Sequence, residues 1–132
     1  MKSINVVFFL LIFTSNISAQ QYELIKTIEV AGRQGIAVDT DYYYVSGSTA
    51  LYKYTKDGKL VASNKAPFDQ LNVQLNHLGD IDCYNGEIYA GAEYFDDGSA
   101  VNIRIVIYDA TTLKFKRLYA WEPSSDKRKC VV

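Results

Sequence analysis

Few side chains in this 132-residue chain have the types and spacing for chemistry. His77 is its one histidine, and Asp80 follows three residues later. With Arg33 they offer an imidazole, a carboxylate and a fixed cation, a set suited to a polar or anionic ligand. Asp39, Asp80, Asp82 and Asn76 offer oxygens of the kind a hard cation takes. Ca²⁺ requires about six or more oxygens, which these residues do not supply, so no metal ligand and no cofactor is assigned. The acidic stretch 93–99 lacks the spacing of a calcium-binding loop. No GxSxG elbow, P-loop, HExxH or paired CxxC occurs, so no catalytic residue is assigned. Each candidate also has a local reading. His77 can bond a neighbour, Arg33 can be a solvated loop charge, and the aspartates can cap turns.

The elements that would position these residues come in two copies. Residues 35–47 read GIAVDTDYYYVSG and residues 79–91 read GDIDCYNGEIYAG. Aligned glycine to glycine, Arg33 falls opposite His77. Around the first copy, β-branched and Tyr-rich runs predict strands over 36–39, 42–46, 50–55 and 59–64, with a turn at Lys56-Asp57-Gly58. Around the second they predict strands over 79–84, 87–93, 101–108 and 113–121. Asn85-Gly86 there is a type I′ hairpin signal. Residues 94–99 read as an inserted loop, since the two copies share a Tyr54–Tyr108 match only if one hairpin of the second is about ten residues longer. Residues 22–30 predict a further strand. The connection 67–78 reads as irregular, either partly extended or with a short helical turn. Two four-stranded antiparallel meanders in tandem are the pattern of propeller blades.

The motif pair GIAVDTDYYYVSG…LYKYTKDGKLV and GDIDCYNGEIYAG…IVIYDATTLKF resembles the blades of secreted propellers of the NHL, YncE and TolB-like kind, over residues 34–119. The resemblance implies an all-β fold of β-propeller blades: two blades (about 35–65 and 79–121) plus an N-terminal strand, an incomplete propeller over 20–121. Because first-strand entry loops open at a propeller's central channel, it places Arg33 and His77 at the channel mouth and Asp80 just inside. It is specific for fold and poor for function. It implies an exported binding or interaction protein for an unknown ligand or protein partner. The alternative it carries is part of a lactonase-like propeller hydrolase with Ca²⁺ or Zn²⁺ in the channel.

Residues 1–19 read as a secretory signal peptide: a basic start, the apolar run VVFFLLIF and a small-residue exit at Ala19. That run is shorter than the roughly 20 residues of a transmembrane helix, so no such anchor is expected, and the protein is expected to be secreted or periplasmic. The formal net charge of −1 gives no basic face for nucleic acid. Eleven Tyr against two Pro lean towards strands. The Tyr cluster 42–44 with Tyr52 and Tyr54 reads as packing between blades or as a carbohydrate platform. Cys83 and Cys130 form a potential disulfide, but Cys83 within a strand also suits a small buried hydrophobe. Residues 122–132 carry no blade pattern. Closed propellers need about four to eight blades. The two present imply a fragment of a longer propeller, self-association to close one, or a small β sandwich.

Overall fold

A computed structural model describes residues 21–120, and among them there are eight strands and no helix. The first sheet is β1 (Gly35–Val38), β2 (Tyr42–Gly47), β3 (Ala50–Thr55) and β4 (Leu60–Asn64). The second is β5 (His77–Tyr84), β6 (Glu87–Asp96), β7 (Ser99–Asp109) and β8 (Phe115–Ala120). Each is an antiparallel meander with strands in sequence order, and no strand closes either sheet into a barrel. The fold is all-β, in two four-stranded blade-like sheets. The signal-peptide segment, Cys130 and the tail 122–132 lie outside the described residues.

Local chemistry explains most boundaries. Asn85 and Gly86 take φ of 49° and 74°, the paired positive values that a two-residue hairpin needs. Asp97 and Gly98 repeat this with 44° and 76°. The expected loop over 94–99 is therefore a continuation of β6 and β7 into a two-residue turn. Asn76 holds this extension, accepting from Phe95 N at 2.7 Å and donating to Phe95 O at 2.9 Å.

Residues 22–30 do not form the expected strand. Strand geometry persists only where a neighbour completes the backbone ladder, and this segment has none. It passes the β3–β4 turn instead, where Lys26 Nζ donates to Asp57 O at 3.1 Å. The segment ends where Ala31 N donates to the Tyr54 hydroxyl at 2.8 Å. The connection after β4 makes a turn over 67–70 and then runs irregularly to β5.

The sheets meet face to face. Tyr44, Leu51, Leu78, Ile81, Ile88, Val106, Tyr108 and Leu113 form one buried cluster, with Phe68, Leu71 and Val73 of the connection packed against it. Polar bonds pin the contact. Lys53 Nζ, buried against the Tyr42 ring at 3.9 Å, donates to Ala110 O at 3.0 Å. Asn64 Nδ2 donates to Leu113 O at 2.8 Å, and the Tyr108 hydroxyl donates to Pro67 O at 3.2 Å. Among the described residues, no buried side-chain nitrogen or oxygen lacks a partner.

Register shows how the copies correspond. One row across the first sheet runs Val38–Tyr43–Tyr54–Leu60. Its counterpart across the second runs Cys83–Ile88–Tyr108–Phe115, and in both sheets the ladder shifts just before the third residue, at Lys53/Tyr54 and Ile107/Tyr108. Val38 thus corresponds to Cys83 and Tyr43 to Ile88, one residue later than the glycine alignment gives. A bulge in β5 between Leu78 and Ile81 supplies the extra residue. Upstream of it the match of Gly35 with Gly79 stands; downstream, Ser46 and not Gly47 corresponds to Gly91.

β1 crosses β5 at this bulge. A Cβ on Gly35 would lie 2.7 Å from Asp80 Cα and 2.8 Å from Ile81 N, closer than atoms pack. Only glycine fits, and the obstacle is backbone that cannot rotate away. Gly35→Ala is expected to cost about 1–3 kcal/mol, seen as a lower urea midpoint. Gly91→Ala, whose Cβ would meet Asp80 O at an ordinary 3.9 Å, is expected to stay within about 0.5 kcal/mol of wild type. Equal midpoints for the two variants would refute the crossing as a steric constraint.

Candidate functional site

A cleft of about 540 Å³ opens where the leading ends of β1 and β5 meet. Gln34, Gly35 and Ile36 line one side, His77, Gly79 and Asp80 the other, with Ala92, Glu93 and Ile103 from β6 and β7 behind. Of the three residues singled out from sequence, His77 and Asp80 share this cleft. Arg33 does not line it. It is exposed on the loop before β1, and its neighbour Gln34 takes the position at the cleft.

His77 is positioned by its backbone and by its ring. It pairs with Glu93 in the β5–β6 ladder, and its Nδ1 lies 3.1 Å from Glu93 Oε1. Glu93 is only 4% exposed, so a buried carboxyl fixes the orientation of a half-buried imidazole. With Nδ1 engaged, Nε2 is the ring nitrogen left to meet a ligand. Phe95 packs obliquely near the imidazole, ring centroids 6.3 Å apart. Glu93 was legible in the sequence only as part of an acidic stretch. It sits at the ladder irregularity between Ala92 and Tyr94, where β6 has no regular partner in β7.

Asp80 stands on the β5 bulge, where an extra residue re-aims side chains. Its Oδ1 accepts from Ile81 N at 2.9 Å, and the residue remains exposed. Gln34 Nε2 donates to Ser48 Oγ at 3.0 Å, and Leu78 N donates to Ser48 O at 2.7 Å, so the β2–β3 turn braces both walls. Ser46 Oγ donates to Gly79 O at 2.7 Å beneath the crossing.

The other oxygen donors do not converge. Asp39 Oδ1 accepts from Asp41 N and Tyr42 N at 2.8 and 2.7 Å, and its Oδ2 from the Tyr44 hydroxyl at 2.7 Å. Asp82 accepts from Cys83 N at 2.7 Å, and Asn76 is spent on Phe95. Among the described residues, no three His, Cys, Asp or Glu side chains gather as a metal site would require. The carboxylates act as turn and backbone caps. Cys83 faces the first sheet, and burial, with Asp39 and Asp82 nearby, pushes its thiol pKa up, which keeps it a weak nucleophile.

The Tyr cluster resolves as packing. Tyr44 is buried on the inter-sheet face, and Tyr43 lies under Lys56 Nζ at 4.3 Å. On the outer face of the second sheet, Arg117 grips Glu87 through two bonds of 2.7 Å, and Lys116 Nζ lies 2.8 Å from the same carboxyl. These bonds hold Glu87 far below the usual carboxylate range.

No family model matches the chain, and no curated protein sequence matches it.

Asp39 provides a pH test. Burial pushes its pKa up, but the bonds from Tyr44, Tyr42 and Asp41 outweigh this, and the net shift is downward from 3.8. A depressed folded-state pKa contributes stability that is present above the unfolded value and lost as pH falls through the folded one. Asp39→Asn is therefore expected to be less stable than wild type at neutral pH, by roughly 1 kcal/mol. The gap should close below about pH 4. Urea titrations of both proteins at neutral and acid pH measure it; a gap that persists unchanged in acid would refute the assignment.

Proposed function

We propose that this chain is an exported propeller-type binding protein whose ligand enters the cleft between the leading ends of β1 and β5. The observation that carries this reading is the His77–Glu93 pair: a buried carboxyl orients an imidazole on the wall of an open cleft, with Asp80 beside it. A fixed, half-buried polar pair in a concave site is how binding pockets set ligand orientation. The cleft holds two carboxyl groups and one imidazole, and no lysine or arginine lines it. Its chemistry suits a small ligand that donates hydrogen bonds, an ammonium group foremost, over an anion. The arrangement lacks a nucleophile placed beside a base, so no bond-making step is assigned. In this reading the outer sheet faces are blade-to-blade surfaces, and the apolar run in residues 6–13 directs export.

Two probes test it on the folded chain by amide chemical-shift titration, butylammonium chloride and sodium phosphate at equal ionic strength. Butylammonium is expected to perturb the amides of His77, Gly79 and Gly91 saturably, and phosphate to leave them in place. Asp80→Asn and Glu93→Gln are each expected to weaken butylammonium binding by about tenfold, the effect of losing one charged contact. Saturable phosphate binding at these amides, or no response to butylammonium, would overturn the reading.

A further inference from the structure

Both outer sheet faces carry exposed apolar side chains, although Val45 and Tyr54 on the first are already buried, the Tyr54 hydroxyl accepting from Ala31 N. The first shows Ile36, Val38 and Leu60 at 63%, 55% and 51% exposure, and the second shows Tyr84, Ile105 and Tyr119 at 72%, 38% and 54%. An exposed pair of such faces marks an interaction surface, and the register of this chain says what fits it.

The inner face of the second sheet carries the row Cys83–Ile88–Tyr108–Phe115, which packs onto the first sheet. Its counterpart, Val38–Tyr43–Tyr54–Leu60, lies on the outer face of the first sheet. Conversely, the first sheet receives its neighbour on Ala37–Tyr44–Lys53–Ala62. The counterpart of that row, Asp82–Tyr89–Ile107–Arg117, lies on the outer face of the second sheet. The chain therefore carries one docking interface complete, between its own sheets. It carries the two halves of a second interface unjoined, on opposite sides.

The unjoined halves keep part of the chemistry of the joined one, with Asp82 and Arg117 standing where the receiving row of the first sheet has Ala37 and Ala62. Tyr54 stands where Tyr108 stands, and aliphatic Val38 and Leu60 flank Tyr43 and Tyr54 at the row's ends. On the receiving side Tyr89 replaces Tyr44, Ile105 replaces Leu51, and Gly91 replaces the small Ser46 over which β5 crosses. Ile107, where Lys53 stands in the first sheet, is fully buried already. A glycine in Ser46's place leaves room for another first strand to cross.

We propose that the outer face of the second sheet docks the outer face of the first sheet of another copy of this chain, repeating the inter-sheet packing head to tail. Such a contact is heterologous, with different surfaces on each partner, so it closes into a ring or runs on as a fibre. At two sheets per copy, rings of about four to eight blades correspond to roughly two to four chains.

Val38→Glu blocks one face and Ile105→Glu the other, and each leaves the opposite face intact. Analytical ultracentrifugation of the full chain at about 100 µM, a concentration at which a micromolar contact is almost fully formed, is expected to show wild-type oligomers. Each variant alone is expected to sediment as a monomer with unchanged strand content by circular dichroism. Mixed in equal amounts, the variants are expected to give a 1:1 dimer and nothing larger, because one intact interface remains and both ends are blocked. A monomeric wild type would overturn the proposal and leave the faces to sheets of another protein. Variants that oligomerise like wild type, or a mixture that stays monomeric, would overturn it as well.

Discussion

The crossing of β1 over the β5 bulge is the constraint on which the rest depends. Gly35 lies against backbone atoms of Asp80 and Ile81, and no side chain fits between. Ser46 and Ser48 bond across the same point to Gly79 O and from Leu78 N. This contact sets how close the two sheets come and in what register. The inter-sheet cluster then follows, because strands fixed at one end present alternate residues to each other along their length. The cleft follows too, since its walls are the two strand ends held at the crossing.

Farther from the crossing, the sheets are located by single polar bonds rather than by more apolar area. Lys53, Asn64 and Tyr108 each donate to one carbonyl on or near the other sheet. Such bonds add little net stability in exchange for water, but a buried donor left unpaired costs more than the bond contributes. They therefore penalise any sliding of one sheet on the other. Apolar contact supplies the attraction and these donors supply the alignment. Lys53 is the plainest case, a buried cation held over a Tyr ring and satisfied by Ala110 O.

The same alternation leaves the outer faces as they are. A sheet covered on one side reads polar on the other, yet here both sides of both sheets carry Val, Ile, Leu or Tyr. Such a pattern belongs to a sheet stacked between two others. The Arg117–Glu87 pair with Lys116 puts charge on the outer face of the second sheet without breaking its apolar stretch, and a bidentate pair of this kind sets orientation as well as attraction.

Sequence by itself determined the strands of the two sheets, the Asn85-Gly86 turn and the two-copy plan. These rest on local chemistry: β-branched and Tyr-rich runs, a residue pair able to hold positive φ, and repetition. Residues 22–30 had the strand composition without the partner, because a ladder is made between segments and composition describes only one. The glycine alignment was right as far as Gly79 and slipped by one beyond it. A bulge adds a residue without altering the pattern of types, and a slip of one exchanges the two faces of a sheet. Only the tertiary structure could therefore decide which rows face inward. It likewise took Arg33 out of the cleft and brought in Glu93, a residue whose burial no feature of its neighbours in sequence announces.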